Sequence, residues 1–235
     1  MKKNLAAIPV LIFCCLSNCK NKSDNNISDS MQPAEGYPLV DNIEVIRQII
    51  ESKCIDTIKF RKGEVIADIG AGNGTIEAML SIFHDSLTFY IQDIDPSVCN
   101  QKAISEVVNF YQDVKGHPFS NKFITITGTD NETNLPDDTI DKILMLWTYQ
   151  YFKDPRAIMT DLRLKLKEDG LMYIVNPNVD LESSKELTSK HGWNASPIER
   201  QISDIIDCGF ELIRLSRNYV SSESPFIMVF KKKTI

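Results

Sequence analysis

The stretch that most limits what this chain can fold into is Val65-Ile66-Ala67-Asp68-Ile69-Gly70-Ala71-Gly72-Asn73-Gly74-Thr75-Ile76-Glu77. An apolar, β-favouring run ends beside an acidic residue. A glycine-rich turn follows, and then a helical pattern from Ile76 to Phe83. Strand, tight turn and helix in that order predict an open α/β sheet with the turn at a strand end. Glycine lacks a Cβ, so it takes positive φ and lets a ligand lie against backbone. The turn also brings the free N–H groups of a helix start to the same place. The spacing narrows the ligand. A dinucleotide turn has Gly-x-Gly-x-x-Gly/Ala, whereas here the glycines are Gly70, Gly72 and Gly74, with Thr75 where the last small residue should stand.

Further strands follow at regular intervals. Leu87 to Gln92 reads as a second strand, ending at Asp93-Ile94-Asp95-Pro96. Pro96 suits a first helical position with Asp95 as cap, so the helix is expected from Ser97 to about Asp113. An acidic residue about twenty positions past the glycines is placed to accept bonds from ribose hydroxyls. Asp93 suits that role better than Asp95, which has the cap to serve. Lys122 to Thr127 alternates as a third strand and leads to Gly128-Thr129-Asp130-Asn131. Lys142 to Leu146 is a fourth, followed by an aromatic loop from Trp147 to Phe152. Asp154-Pro155 opens a helix expected to run to about Lys167 and to stop at Asp169-Gly170, before a fifth strand over Leu171 to Val175.

Ser196-Pro197-Ile198-Glu199 has the form of a capping box with proline at the first helical position. Phe210 to Leu215 and Phe226 to Phe230 alternate as two last strands. Near the start, Asp41 to Cys54 carries apolar residues at helical spacing, with Asp41 or Asn42 as cap. Ile55 to Phe60 reads as another short helical turn. Val179 to Trp193 is polar and reads as a loop or mobile helix over the site.

These features taken in order resemble the class I methyltransferases that use S-adenosylmethionine. Asp-x-Gly-x-Gly-x-Gly at Asp68 to Gly74 is similar to their first motif. Gly128-Thr129-Asp130, Leu135-Pro136, Ile140-Asp141 before an apolar strand, and Leu166-Lys167-Glu168-Asp169-Gly170 follow the family's sequence, with proline and the first glycine of Leu-Lys-Pro-Gly-Gly replaced. The resemblance implies an α/β, Rossmann-like doubly wound sheet of about seven strands, mostly parallel with a C-terminal antiparallel hairpin. It implies S-adenosyl-L-methionine as cofactor. Gly70 and Gly72 would lie under its methionine part, with Asp68 near the amino group. Asp93 would hold the ribose, Ile94 would pack on the adenine, Asp130 or Asn131 would meet the adenine edge, and the backbone at Leu146 and Trp147 would meet the methionine end. Tyr149 and Tyr151, with Trp147, fall where an acceptor would sit. Where some relatives carry histidines this chain has Gln150 and Tyr151, which removes an obvious general base and leaves Tyr149, Glu35 or Asp180 as candidates, none chosen by sequence. The catalytic residues therefore stay unassigned.

The first residues read differently. Lys2 and Lys3 precede an apolar run, Leu5 to Leu16, too short to span a bilayer and suited to a signal peptide. Leu16-Ser17-Asn18-Cys19 resembles a bacterial lipobox, with Asn18 where a smaller residue is usual. Residues 1–18 are thus expected to be a lipoprotein signal peptide, 19–36 a disordered tether lipidated at Cys19, and 37–235 a methyltransferase domain. The expected location is the cell envelope, lipid-anchored and facing the periplasm or in the outer membrane; a secreted or signal-anchored protein is the alternative.

The formal net charge is −6. Loss of residues 1–18, whose only charges are Lys2 and Lys3, leaves −8. That acidity disfavours nucleic acid as a partner, and a small-molecule acceptor is expected. Cys54, Cys99 and Cys208 are irregularly spaced, and His84, His117 and His191 lie far apart. Neither set has ligand spacing, so no metal is expected. Two functional readings stand: an active methyltransferase, and an anchored module of the same fold that binds S-adenosylmethionine or a nucleoside, or another partner, without turnover. A nicotinamide oxidoreductase is disfavoured by the glycine spacing.

Overall fold

The computed structural model describes residues 39–52, 55–177, 196–217 and 225–234. Its centre is a seven-stranded sheet of order β3-β2-β1-β4-β5-β7-β6. The strands are β1 (Val65–Ile69), β2 (Thr88–Asp93), β3 (Lys122–Thr127), β4 (Ile140–Leu146), β5 (Leu166–Pro177), β6 (Phe210–Arg217) and β7 (Pro225–Lys232). β1 to β5 are parallel, and β7 runs antiparallel to both β5 and β6. The predicted doubly wound sheet with a terminal antiparallel hairpin is therefore the observed one. The order reverses between β1 and β4, which places a crevice at their carboxyl ends, where ligands of open α/β sheets bind.

Helices cover both faces. On one lie α1 (Ile43–Ser52), α2 (Thr75–Phe83) and α3 (Gln101–Lys115), and on the other α4 (Pro155–Lys165) and α5 (Ile198–Asp207). Side chains alternate between faces along a strand. Leu144, Tyr173, Val175, Ile227 and Val229 accordingly enter the first core, and Ile143, Met145, Met172, Ile174, Met228 and Phe230 the second. Burial on both sides explains why these strands read as continuous apolar runs. α1 begins where Asn42 Oδ1 accepts from the N–H of Glu44 at 2.9 Å and of Val45 at 3.2 Å, and it buries Ile46 and Ile50, one turn apart. Ile55–Thr57 is a short 3₁₀ turn.

Three local expectations are corrected. Asp95-Pro96 does not open a helix. Residues 96–99 make a single turn in which Cys99 N–H reaches Asp95 O at 3.0 Å. Cys99 buries its thiol under the carbonyl of Ile91, 3.2 Å away, and Asn100 then takes an extended backbone that interrupts the turn. α3 starts at Gln101 with Asn100 as its cap, Oδ1 accepting from Ala103 N–H at 3.0 Å. Second, α4 ends at Lys165, short of Lys167, because Leu166 leaves to pair with Ile140 and buries completely. Residues 167–170 bulge against Asp141 alone, and Lys167 Nζ closes the bulge on Asp141 Oδ1 at 2.8 Å. Asp169-Gly170 thus lies within β5. Third, α5 begins at Ile198, so Pro197 stands at the cap and not at the first helical position. The Val179 to Trp193 expectation and Cys54 lie outside the described residues, as do residues 1–38.

Candidate functional site

Three turns meet at Asp93. Its Oδ2 accepts from the N–H of Gly72 at 3.0 Å, its Oδ1 from that of Asp95 at 3.0 Å, and its carbonyl from that of Gly128 at 3.0 Å. The side chain is half-buried, and each carboxylate oxygen keeps capacity to accept again. The glycine turn is tied to β2 a second time, since the N–H groups of Gly70 and Ala71 both reach Gln92 O, at 2.8 and 3.0 Å. The turns at this end of the sheet are thus tied to one another by hydrogen bonds.

The two leading glycines do different work. At Gly70 (φ +74°) a Cβ would stand 2.4 Å from Thr148 Cγ2, so this glycine makes room for the segment after β4. At Gly72 (φ +58°) a Cβ would meet nothing within 4 Å, so the turn is open on that side. Trp147, at the end of β4, holds φ +59°, a conformation that bulky residues rarely adopt and that is common at functional sites. Its N–H donates to Val175 O at 2.8 Å and its carbonyl accepts from Gln150 Nε2 at 2.7 Å.

Beneath the turn lie two acids. Asp68 points from β1 into the layer below α2, and Glu77 points down from the first turn of α2; both are buried. Asp68 Oδ1 and both Glu77 oxygens lack an N–H or O–H partner. The carboxyls instead face each other, a contact that is a hydrogen bond only when one of them carries a proton. Burial, and then the neighbouring Glu77 carboxyl, push the Asp68 carboxyl well above the usual range; burial also raises Glu77. The pair therefore holds on to a proton more strongly than two exposed acids.

The family described as "Methyltransferase domain" matches residues 44–204. The chain belongs to that family. No curated protein matches it significantly. Among solved structures, a methyltransferase activator complex of Haloferax volcanii aligns with TM-score 0.62 at 12% identity, over 82% of this chain and 94% of that one. A SAM-dependent methyltransferase of Aquifex aeolicus aligns with TM-score 0.59 at 16% identity, over 80% and 97%. A phosphoethanolamine N-methyltransferase of Haemonchus contortus in complex with S-adenosyl-L-methionine aligns with TM-score 0.58 at 13%, over 78% and 52%. At these identities the likeness is one of fold.

In this methyltransferase domain, Asp68, Gly70, Gly72, Asp93 and Ile94 gather at the carboxyl ends of β1 and β2, and Ile94 is 55% exposed beside Asp93. Asp130 and Asn131 are exposed in the turn after β3; Asp130 pairs with Lys153 at 2.7 Å. Trp147 is half-buried against the first core. Tyr149 departs from expectation: it is fully buried in the second core, with Phe152 edge-on at 5.9 Å, and cannot meet an acceptor. Its burial also removes it as a base, since it pushes the phenol far up. Tyr151 remains exposed. A polar depression nearby, lined by Asp154, Arg156, Ser196, Arg200 and Asp204, spends its charges internally, as Arg200 and Arg156 both pair with Asp204, at 3.0 and 3.9 Å. Among the described residues no group of three or more potential ligands could hold a metal ion. Sequence reasoning missed Glu77, Asn73 and Thr148. Glu77 carried one available signal, a charged residue on the helix face that the apolar pattern turns toward the sheet.

Proposed function

We propose that this domain transfers the methyl group of S-adenosyl-L-methionine to a small-molecule acceptor. The observation that carries the reading is the open side of Gly72, flanked by the Asp93 carboxylate and floored by Asp68, a cradle that a single added Cβ would begin to fill. The bound cofactor supplies an electrophilic methyl carbon on a sulfonium, and the reaction is a direct displacement by the acceptor. In this assignment Asp93 accepts from the sugar hydroxyls, exposed Ile94 covers one face of the base, and Asp130 or Asn131 meets its edge. Gly70 and Gly72 leave backbone bare for the amino-acid arm, and Trp147 borders that arm; its N–H is already bonded to Val175, while its carbonyl, with one bond from Gln150, can accept again. Tyr151 stands on the acceptor side. With Tyr149 buried and Gln150 beside it, the domain aligns an acceptor that brings its own lone pair, and positioning supplies the rate.

Calorimetry tests this directly. Saturable binding of S-adenosylmethionine that disappears in Gly72→Val is the expected result, and no heat with the cofactor or its demethylated product overturns it. For location, we propose anchoring in the cell envelope through a lipid on Cys19, on the strength of the N-terminal sequence. Cys19→Ala should leave the membrane fraction; retention there refutes the anchor.

A further inference from the structure

Glu77 has no part in the assignment above, and its place needs a reason. An acid in the first turn of a helix gains from the helix dipole while staying in water. Glu77 is instead fully buried, beside a second buried acid. An apolar side chain would fill the same position without the cost of burying acceptors that nothing satisfies. Of the groups that face the pair, Asp93 from the end of β2 adds like charge and raises Asp68 further, and the Cys99 thiol from the turn before α3, itself pushed up by burial, brings no opposite charge; only the backbone N–H groups of Ile69 and of Glu77 itself favour the ionised forms. No lysine or arginine among the described residues bonds to either carboxyl. In the same turn, Asn73 Nδ2 is a buried donor with no acceptor. The floor of the glycine turn thus holds unmet acceptors and an unmet donor, the complement of an amino-acid head group with its ammonium and carboxylate.

We propose that Asp68 and Glu77 form one counter-site for a ligand ammonium, sharing a proton while the site is empty and releasing it to solvent when the ammonium enters. The inference rests on the cofactor reading above and adds Glu77 to the site. Written out, the protonated pair plus the ammonium-bearing ligand gives the doubly ionised pair bound to that ammonium, plus one proton taken up by buffer. The three ammonium hydrogens replace the one shared proton as donors to the orphan oxygens, and the added positive charge favours the ionised form.

The test is calorimetry of the full chain with S-adenosylmethionine at pH 6.5, where an α-amino group is still charged, in two buffers of different ionisation enthalpy. The wild type should release a measurable fraction of one proton, and its affinity should rise with pH between 5.5 and 7, by at most about tenfold per unit. Glu77→Gln keeps the shape and gives Asp68 a permanent N–H donor, so release and pH dependence should both vanish. 5′-Methylthioadenosine, which lacks the amino-acid arm, should bind the wild type without releasing protons; that control holds even if the variant fails to fold. Cofactor binding without proton release, release retained in Glu77→Gln, or release with 5′-methylthioadenosine overturns this inference alone. No binding of the cofactor overturns the functional reading and this one with it.

Discussion

Replacing Gly70 by alanine separates the glycine that packs against protein from the glycine that faces the cradle. The new Cβ would sit 2.4 Å from Thr148 Cγ2, 2.7 Å from Oγ1 and 3.1 Å from Cβ, where carbon atoms prefer about 3.5–4.0 Å. Thr148 is buried and branched at Cβ, so it has few rotamers in which to retreat. Two costs add. The positive φ costs a non-glycine residue about 1–2 kcal/mol, and overpacking costs about 1–3 kcal/mol. Gly70→Ala should therefore lose about 2–5 kcal/mol, a large share of a stability of about 5–15 kcal/mol. Gly72→Ala incurs only the first cost, about 1–2 kcal/mol, because its Cβ enters open space, yet it should be the more harmful to cofactor binding. Thr148→Ala removes the two nearest atoms. In the double variant with Gly70→Ala, part of the loss should return as a coupling energy. Urea midpoints at constant m-value measure all four proteins. Equal destabilisation at positions 70 and 72, or no rescue by Thr148→Ala, refutes the division of labour.

Asp93→Ala unties the glycine turn from the turn after β2. It should cost about 1–3 kcal/mol of stability, read by urea, and should weaken cofactor binding more than Asp93→Asn does; equal effects would show that charge and accepting capacity do not matter there. His84 is pushed below its ordinary pKa chiefly by burial, against the opposing pull of Asp85. The folded state therefore holds this proton less tightly, and the unfolded chain takes it up first. Its contribution is present above about pH 6.5 and is lost as pH falls below that value; a urea midpoint that drops as steeply between pH 7.5 and 5.5 in His84→Phe would sink the assignment. Lys142 is buried in an ion pair with Glu64, so Lys142→Ala should cost about 3–5 kcal/mol by stranding that carboxylate, while Lys142→Met with Glu64→Leu should recover most of it in the same assay.

The strands were legible because apolar runs buried on both faces leave a plain trace in sequence, and their arrangement in one doubly wound sheet was implied by the resemblance. Element ends were less so. At Asp95-Pro96 the local signal for a helix start is strong, but burial of the Cys99 thiol and the cap offered by Asn100 move the start to Gln101. At Leu166 a helical pattern continues to Lys167, and the gain from pairing with Ile140 outweighs it. Near the glycine turn, the position of Asp93 was legible from its distance to the glycines. The aromatic loop was not. Tyr149 and Tyr151 look alike in sequence, and a 3₁₀ turn over Tyr149–Tyr151 sends one into the core and the other outward. Glu77 was hidden for a related reason, since a helix start is where an acid is ordinarily expected.

β7 follows both of its neighbours in the chain yet lies between them. Until it inserts, β6 has no partner in the sheet, and β5 shows an unpaired edge along the apolar run from Met172 to Val175. Its insertion closes both cores at once, with Phe226, Met228 and Phe230 on one side and Ile227 and Val229 on the other. Non-local pairing of this kind forms slowly, and open apolar edges invite association with other chains. Aggregation during refolding should therefore be governed by the wait for this one strand, and a short peptide of its sequence supplied in excess would compete for the same slot.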